Sequence, residues 1–279
     1  MTIQSIGKST INRQIVRHLS RRKRGPKPKV EYWRIVKAIL FKLKTGVQWR
    51  ELPMSAFSPK VKISWNTALY HFNKWSKDGS WERLWLAILK AEKKHLDMSS
   101  VQFDGSHTLA KNGGSAVSYQ GRKKARTTNM LILADSQGIP LACSDPIKGN
   151  HNDLFEVEKW LSKILATLKA AGIETEGLFL NADAGFDGEN FRSFCEAQGV
   201  IMNAPPNKRN SKGFDENEYL FDDELYRCRF VIERTNAWID GFKNLIIRYS
   251  VNPMNWKSWH LIAFSIIFLR NVPGGWVKP

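Results

Sequence analysis

The sequence predicts a mixed α/β fold in which a sheet is flanked by helices and preceded by a helical module. Three observations predict it. Apolar residues recur at helical spacing up to residue 98. Short apolar runs typical of strands begin after Ser99, and strand and helix patterns then follow each other to the C-terminus. We therefore expect a mobile, free basic arm (1–30), a helical module (31–98), a sheet-containing domain (99–272) and a short tail (273–279).

The helical module is expected to hold three amphipathic helices. The first ends at Thr45-Gly46, the second runs from about residue 64 to 75, and the third contains residues 81–89. Their inward residues are Tyr32, Ile35, Val36, Ile39, Leu40, Leu43, Trp65, Leu69, Phe72, Trp75, Trp81, Leu84, Trp85, Ile88 and Leu89. Three short helices behind a basic arm resemble a helix-turn-helix DNA-binding module. The alternative is a bundle that only supports the following domain.

Strands and helices are both expected after Ser99. The strands are predicted at 101–103, 130–134, 139–143, 177–181 and 200–203, with a hairpin turn at 135–138. The helices are predicted at 154–171, 190–198, 226–242 and 256–269. Asn152 or Asp153 is available to cap the first of these helices. On the helix at 226–242, an apolar stripe of Leu225, Ile232, Ile239 and Phe242 should face inward.

The charge of the chain indicates a polyanionic partner. Forty-three Lys and Arg residues against 26 Asp and Glu give a net charge of +17. The excess is clustered, which suits neutralisation of DNA phosphates. The clusters are Arg21, Arg22, Lys23 and Arg24; Arg122, Lys123, Lys124 and Arg126; and Lys208 and Arg209. A generally basic protein without a specific partner is the alternative.

Cysteines and hydropathy indicate an intracellular, soluble protein. Cys143, Cys195 and Cys228 are widely spaced and odd in number, so we interpret them as small core residues in a reducing compartment. The basic N-terminus lacks the apolar segment of a signal peptide. The longest apolar run, at 260–269, is shorter than the roughly 20 residues that span a bilayer. We expect no membrane partner.

Three acidic residues are candidates for metal-dependent phosphoryl transfer. Asp104 and Asp183 each follow an apolar strand, where ligands tend to lie in open sheets. Glu233 shares a helix face with Tyr226 and Arg229, which precede it at helical spacing. Two hard cations roughly 4 Å apart can activate a nucleophile and stabilise the leaving oxygen. Taken alone, this pattern is better explained by an ordinary helix with an Arg–Glu surface pair.

Several sequence blocks together resemble the IS5 group of insertion-sequence transposases, within the IS4-like DDE class. The resemblance extends from about Pro26 to Asn271. The blocks are residues 45–53, 120–124, 127–129, 149–153, 183–186 and 226–238. The last contains the family pattern of Tyr, Arg and Glu at Tyr226, Arg229 and Glu233. The family lysine position is Asp240 here, and Lys243, one turn further on, is expected to take the place of that lysine in contacting DNA.

The resemblance implies an RNase H-like catalytic core with a DDE triad, here Asp104, Asp183 and Glu233. It implies cleavage at the ends of an insertion sequence and transfer of the 3′-hydroxyl into target DNA. Two Mg²⁺ or Mn²⁺ ions would be shared by the triad, with Asp104 between them, while Tyr226 and Arg229 steady the phosphate. A homodimer on double-stranded DNA, at the nucleoid of a bacterial cytoplasm, is expected.

Two other functions remain open at this point: a non-catalytic DNA-binding protein that kept the fold, and a nuclease of the same fold without strand transfer. His107 and Asp153 lie near the predicted site in the sequence. His107 could contact DNA and Asp153 could be an additional acid near the site. A flexible-loop position for His107 and helix capping by Asp153 explain these residues at least as well, and we assign neither as a metal ligand.

Overall fold

The computed structural model describes residues 6–21, 29–207 and 221–273. Within them a mixed sheet has helices packed against it. The helices are α1 (Lys8–Gln14), α2 (Tyr32–Thr45), α3 (Met54–Phe57), α4 (Trp65–Lys77), α5 (Ser80–Glu92), α6 (Val157–Ala170), α7 (Glu189–Ala197), α8 (Asp223–Arg227), α9 (Val231–Asp240), α10 (Lys243–Ile246) and α11 (Pro253–Asn271). The strands are β1 (Val101–Ala110), β2 (Ser118–Gln120), β3 (Ala125–Asp135), β4 (Pro140–Cys143), β5 (Ile147–Lys148), β6 (Leu178–Asn181), β7 (Val200–Asn203) and β8 (Ile247–Arg248).

The sheet has antiparallel strands on one side and parallel strands on the other. Strand β3 pairs antiparallel with both β4 and β1, and β1 continues into parallel pairing with β6, which in turn pairs parallel with β7. The short strands β2 and β5 pair with β3, and β8 pairs with β1. Three antiparallel strands continued by two parallel ones form the RNase H-like arrangement, so the predicted fold class is confirmed.

Strand β1 is longer than the sequence predicted. It continues through Asp104 to Ala110, because residues 105–109 pair with residues 127–131 of β3. The prediction that the strand ends at Asp104 is therefore wrong. The polar run from Gly105 to Thr108 lacks an apolar strand pattern, and its extended form is held by main-chain bonds to β3 instead.

The three predicted helices of the N-terminal module are present as α2, α4 and α5. Trp75, Trp81 and Trp85 are fully buried, and Gly46 ends α2 in the left-handed conformation with φ of 70°. The module shares one apolar core with the sheet and α11. Phe72 of α4 stacks on Trp259 of α11 with ring centroids 4.0 Å apart. This shared core is what the supporting-bundle alternative predicts, and the helix-turn-helix role stays a prediction.

The expectation of a free basic arm is wrong for residues 6–21. Helix α1 and a 3-10 turn at Val16–His18 lie in this stretch. Ile11 and Ile15 are at most 1% exposed, and the Trp75 indole donates to Ser20 O at 3.0 Å. These apolar side chains bind the segment to the helical module, because exposing them to water would be unfavourable. Arg22, Lys23, Arg24, Lys208 and Arg209 lie outside the described residues.

Four other local expectations are wrong. Helix α6 is preceded by Glu156 at its N-cap, and neither Asn152 nor Asp153 caps it. The helix predicted at 226–242 is divided into α8, a 3-10 turn at Cys228–Phe230 and α9. Of its predicted apolar stripe, Leu225 is 36% exposed, while Ile232, Ile239 and Phe242 are buried. Cys228 is exposed and not a core residue, unlike Cys143 and Cys195.

Among the described residues, no helix combines the length and the apolar character needed to cross a membrane.

Candidate active site

Neighbouring parallel strands bring Asp104 and Asp183 to one face of the sheet. Gln102 of β1 lies opposite Asn181 of β6, and each aspartate comes two residues after its member of this pair. Because side chains alternate along a strand, Gln102 and Asp104 face the same side. Asp183 begins a 3-10 turn at Ala184–Phe186, and its carboxylate accepts a hydrogen bond from Gly185 N at 2.8 Å.

The Arg229 guanidinium lies between the two aspartates. Its Nη2 is 3.5 Å from Oδ1 of Asp104 and 3.7 Å from Oδ2 of Asp183. The Arg229 side chain is 23% exposed, and its buried Nε finds no hydrogen-bond partner in the described part of the chain. The single positive charge of Arg229 thus compensates the negative charges of two carboxylates that would otherwise repel each other.

The surroundings of Asp104 disfavour its charged form. Burial raises the pKa of Asp104 to about 6, and the nearby carboxylates of Asp183 and Asp153 act in the same direction. The Arg229 charge and a hydrogen bond from the Gly105 backbone oppose this rise in pKa. A carboxylate placed among other carboxylates, with limited access to water, gains most from a nearby cation.

Glu233 lies in the first turn of α9 and is exposed. Helix α9 is fixed on the β3–β4 turn, where Thr235 Oγ1 donates to Gly138 O at 2.7 Å and Arg234 donates to Gln137 O at 2.6 Å. Among residues 6–21, 29–207 and 221–273, no three His, Cys, Asp or Glu side chains lie close enough to hold one metal ion. The structure joins two members of the predicted triad and leaves Glu233 outside the pair.

The other predicted phosphate-contacting residues lie on different elements. Tyr226 of α8 is half-buried, with its ring centroid 5.2 Å from that of Phe221. Lys243 is exposed at the start of α10. Its backbone packs on Gly46, since a Cβ added to Gly46 would lie 3.2 Å from the Lys243 carbonyl carbon. Asp240, at the family lysine position, is exposed as well.

The basic cluster at 122–126 forms the exposed end of the β2–β3 hairpin. Arg122, Lys123, Lys124 and Arg126 are all exposed. Lys123 Nζ donates to His107 O at 3.1 Å, which ties the hairpin to β1. Lys124 has a positive φ of 48°, which turns the chain back into β3. Arg21, the described member of the N-terminal cluster, is exposed too.

Asp153 packs across β1 on the face opposite Asp104. Its Oδ1 accepts a hydrogen bond from Asn129 Nδ2 at 2.5 Å and lies 3.8 Å from His107 Nε2. A Cβ on Gly105 would lie 2.2 Å from the same oxygen, so only glycine leaves room for this carboxylate. Burial lowers the pKa of His107, although the Asp153 charge opposes this. His107 is therefore a strand residue with a partner, not part of a flexible loop.

Sequence reasoning missed the amide side chains of Gln102, Asn181 and Asn203. All three are buried; Asn181 and Asn203 end the strands β6 and β7, and Gln102 and Asn181 each lie two residues before an aspartate of the site. An amide at the end of an apolar strand is a sequence signal of a buried hydrogen-bond network, because a buried polar group requires hydrogen-bond partners.

Asp104 and Asp183 fit a divalent cation. The structure already places a cationic group between them, and carboxylate oxygens are the donors that Mg²⁺ and Mn²⁺ prefer. An RNase H-like sheet with a pair of aspartates at its centre defines a class of metal-dependent enzymes that act on nucleic acids.

Family models identify the chain within that class. Residues 94–268, more than half of the chain, match the family "Transposase DDE domain". Residues 12–85 match the family "Putative transposase of IS4/5 family (DUF4096)". The chain therefore belongs to the DDE transposase family of the IS4/IS5 type, and the predicted family is confirmed. Membership implies a DNA transposase that uses a divalent metal ion, and it favours neither the non-catalytic alternative nor the simple nuclease.

The similar solved structures include complexes of Mos1 transposase. A Mos1 paired-end complex with the left transposon end is 12% identical, with a TM-score of 0.29, over 88% of this chain and 79% of that chain. A Mos1 mariner paired-end complex with Mn is 12% identical, with a TM-score of 0.30, over the same shares. No curated protein matches the sequence.

Proposed function

We propose that this transposase cleaves DNA at the ends of an insertion sequence and joins the freed 3′-hydroxyl to target DNA, with Asp104, Asp183 and Glu233 as its catalytic residues. The observation that carries the proposal is the approach of both Asp104 and Asp183 to one guanidinium nitrogen of Arg229, at 3.5 and 3.7 Å. It marks a position where a positive charge is stabilised by two oxygen donors.

In this proposal, Asp104 and Asp183 hold Mg²⁺ or Mn²⁺, with two ions for each site. The ions, when bound, activate the attacking oxygen and stabilise the leaving oxygen. Glu233 supplies the third carboxylate. It follows Arg229 by four residues on the same helical segment, so Arg229 already brings that segment to the aspartates.

Arg229 has two successive roles in this account. Without metal, it balances the charges of Asp104 and Asp183. With metal in place, its guanidinium is free to donate hydrogen bonds to a DNA phosphate, a group that its planar donors match. Tyr226 lies one turn before Arg229 and would donate its hydroxyl to the same phosphate.

DNA binding is proposed to spread over several basic groups outside the aspartate pair. The exposed side chains of Arg122, Lys123, Lys124 and Arg126 support a phosphate-contacting role for the β2–β3 hairpin. Lys243 and Arg21 are also exposed and complete the described set. Arg22, Lys23, Arg24, Lys208 and Arg209 are proposed on sequence grounds alone.

We also propose that the transposase acts as a homodimer on double-stranded DNA, at the nucleoid in the bacterial cytoplasm. Two ends must be brought together for joint insertion, and two copies of the chain supply two sites.

Strand transfer tests the proposed function. A pre-cleaved, labelled end fragment is incubated with plasmid and Mg²⁺ or Mn²⁺, using wild type, Asp104→Asn and Glu196→Gln. Glu196 is exposed near the end of α7 and serves as the matched control. We expect joined products with wild type and Glu196→Gln, and at least a 100-fold loss with Asp104→Asn. Metal-dependent cutting of the plasmid without any joined product would instead identify a nuclease.

A further inference from the structure

A row of buried amide side chains crosses the three strands around the active site. Gln102 of β1, Asn181 of β6 and Asn203 of β7 are 0%, 0% and 2% exposed. Asn203 Nδ2 donates to Asn181 Oδ1 at 2.9 Å, and Asn181 Nδ2 donates to Gln102 Oε1 at 3.1 Å. Gln102 Nε2 then donates to Ser100 Oγ at 3.0 Å. We call Gln102, Asn181 and Asn203 the amide row.

The amide row continues into the backbone of the segment that carries Arg229 and Glu233. Asn203 Oδ1 accepts from Asp222 N, and Asn203 Nδ2 donates to Asp222 O, both at 2.9 Å. Asn181 Nδ2 donates to Leu225 O at 3.0 Å. Asp222 in turn caps α8, because its Oδ1 accepts from Leu225 N at 2.8 Å. The start of α8 is therefore tied directly to β6 and β7.

The same strands position the aspartates. Gln102 is two residues before Asp104, and Asn181 is two residues before Asp183. Leu225, whose carbonyl Asn181 holds, is four residues before Arg229. The amide row thus connects β1, β6 and the start of α8, at positions two to four residues before Asp104, Asp183 and Arg229.

Apolar side chains would fill these positions without the desolvation cost of an amide. What an amide adds is direction, because its donors and acceptors fix both the distance and the orientation of their partners. Asn203 is matched to the N–H and the C=O of one residue, so a shift of Asp222 along the sheet would break two bonds at once.

We propose that the amide row is a set of positioning residues, which hold the Arg229–Glu233 segment in place over Asp104 and Asp183. The effect on catalysis rests on the proposed function, whereas the mechanical link rests on the hydrogen bonds alone. Loss of the Asn181 amide frees the carbonyl of Leu225 and allows the start of α8 to move away from β6.

The test compares Asn181→Leu with Ser144→Ala in the full chain. Asn181→Leu keeps the side-chain size and removes the donors. Ser144 is also fully buried and accepts a hydrogen bond from Leu131 N at 3.0 Å, outside the amide row. Hydrogen exchange of residues 221–233 is measured without DNA or metal. Cleavage of end-containing DNA and its dissociation constant are measured with Mn²⁺.

We expect exchange in residues 221–233 to become at least 10-fold faster in Asn181→Leu and to stay unchanged in Ser144→Ala. Cleavage by Asn181→Leu should fall at least 10-fold, with the DNA dissociation constant within about 3-fold of wild type. Unchanged exchange in Asn181→Leu would overturn the mechanical link. Faster exchange with undiminished cleavage would overturn the positioning role. A wild type that never cleaves would overturn the proposed function, while the exchange result would still decide on the link.

Discussion

Arg229 Nη2 lies 3.5 Å from Oδ1 of Asp104 in the middle of β1. The same nitrogen approaches Asp183, so one guanidinium compensates two carboxylates from neighbouring strands. The aspartates are separated by 79 residues in the sequence but come together through the parallel β1–β6 pair. The pairing of β1 with β6 therefore brings the two carboxylates together. The pair stabilises a positive charge placed between them, which is the Arg229 guanidinium here.

Replacement of Arg229 by alanine should destabilise the metal-free protein. The loss leaves Asp104 and Asp183 to repel each other with little compensation, and we expect about 1–2 kcal/mol because Asp183 is partly exposed. Added Mn²⁺ should recover part of this loss. Urea unfolding at neutral pH, with EDTA or with Mn²⁺, measures both effects. Arg229→Lys keeps the charge and is the control; equal stability of wild type and Arg229→Ala in EDTA would refute the prediction.

Lys42 should make the free energy of unfolding depend on pH in the alkaline range. Its Nζ donates to Asn244 Oδ1 at 3.0 Å and to Val47 O at 2.9 Å, and burial lowers the pKa of Lys42 to about 8. Between pH 8 and 10.5 the unfolded chain keeps the Lys42 proton that the folded chain has lost. Unfolding then takes up a proton, so the free energy of unfolding rises with pH across this window.

The measurement compares wild type with Lys42→Met in urea unfolding from pH 7.5 to 10.5. Relative to the variant, wild type should gain on the order of 3 kcal/mol over this range, as an upper value. Lys60→Met, at an exposed position, is the control and should show a nearly constant difference. A constant difference for Lys42→Met as well would show that Lys42 keeps its proton throughout.

The β2–β3 hairpin should bind DNA through phosphates. Replacing Lys123 and Lys124 together by alanine removes two exposed positive charges. We expect weaker binding to all sequences and a salt slope, log Kd against log salt, that is lower by about 1–2. Filter binding between 50 and 200 mM salt would measure this. Lys159→Ala with Lys169→Ala on α6 matches the change in net charge; an equal loss in that control would leave the hairpin without a special role.

Gly105 should tolerate no side chain while Asp153 is present. A Cβ on Gly105 would lie 2.2 Å from Asp153 Oδ1, and moving that carboxylate breaks its bond to Asn129. We expect Gly105→Ala to cost about 2 kcal/mol of the free energy of unfolding. In a background of Asp153→Ala the same substitution should cost clearly less. Additive costs in this double-mutant cycle would mean that the two residues do not meet.

Apolar patterning predicted much of the sheet. Strand β7 matches its predicted bounds, and β6 differs by one residue, because continuous apolar runs mark buried parallel strands. The second half of β1 was missed since its polar residues carry no such pattern, and its partner in β3 is more than 15 residues away. The sequence predicted that Asp104 and Asp183 both follow strand ends, but Asp104 lies within β1, and it is the alignment of β1 beside β6 that brings the two aspartates together.

Side-chain partners distant in sequence were not predictable from local patterns. Asp153 has the position of a helix cap, yet it bonds to Asn129, so the cap prediction is wrong. Arg229 and Glu233 have helical spacing, but Arg229 lies in a 3-10 turn beside the two aspartates, whereas Glu233 lies in α9. The role of Glu233 stays a prediction, as does that of Lys243.

Cleavage of a supercoiled plasmid that carries the element's ends tests most directly whether this transposase cuts DNA with Asp183 in its active site. Wild type and Asp183→Ala are each incubated with EDTA, Mg²⁺ or Mn²⁺, and the cut positions are mapped. We predict metal-dependent cuts at the ends with wild type and none with Asp183→Ala, although both bind the end DNA. Tight binding by wild type without cleavage under any metal, or undiminished cleavage by Asp183→Ala, would contradict this prediction.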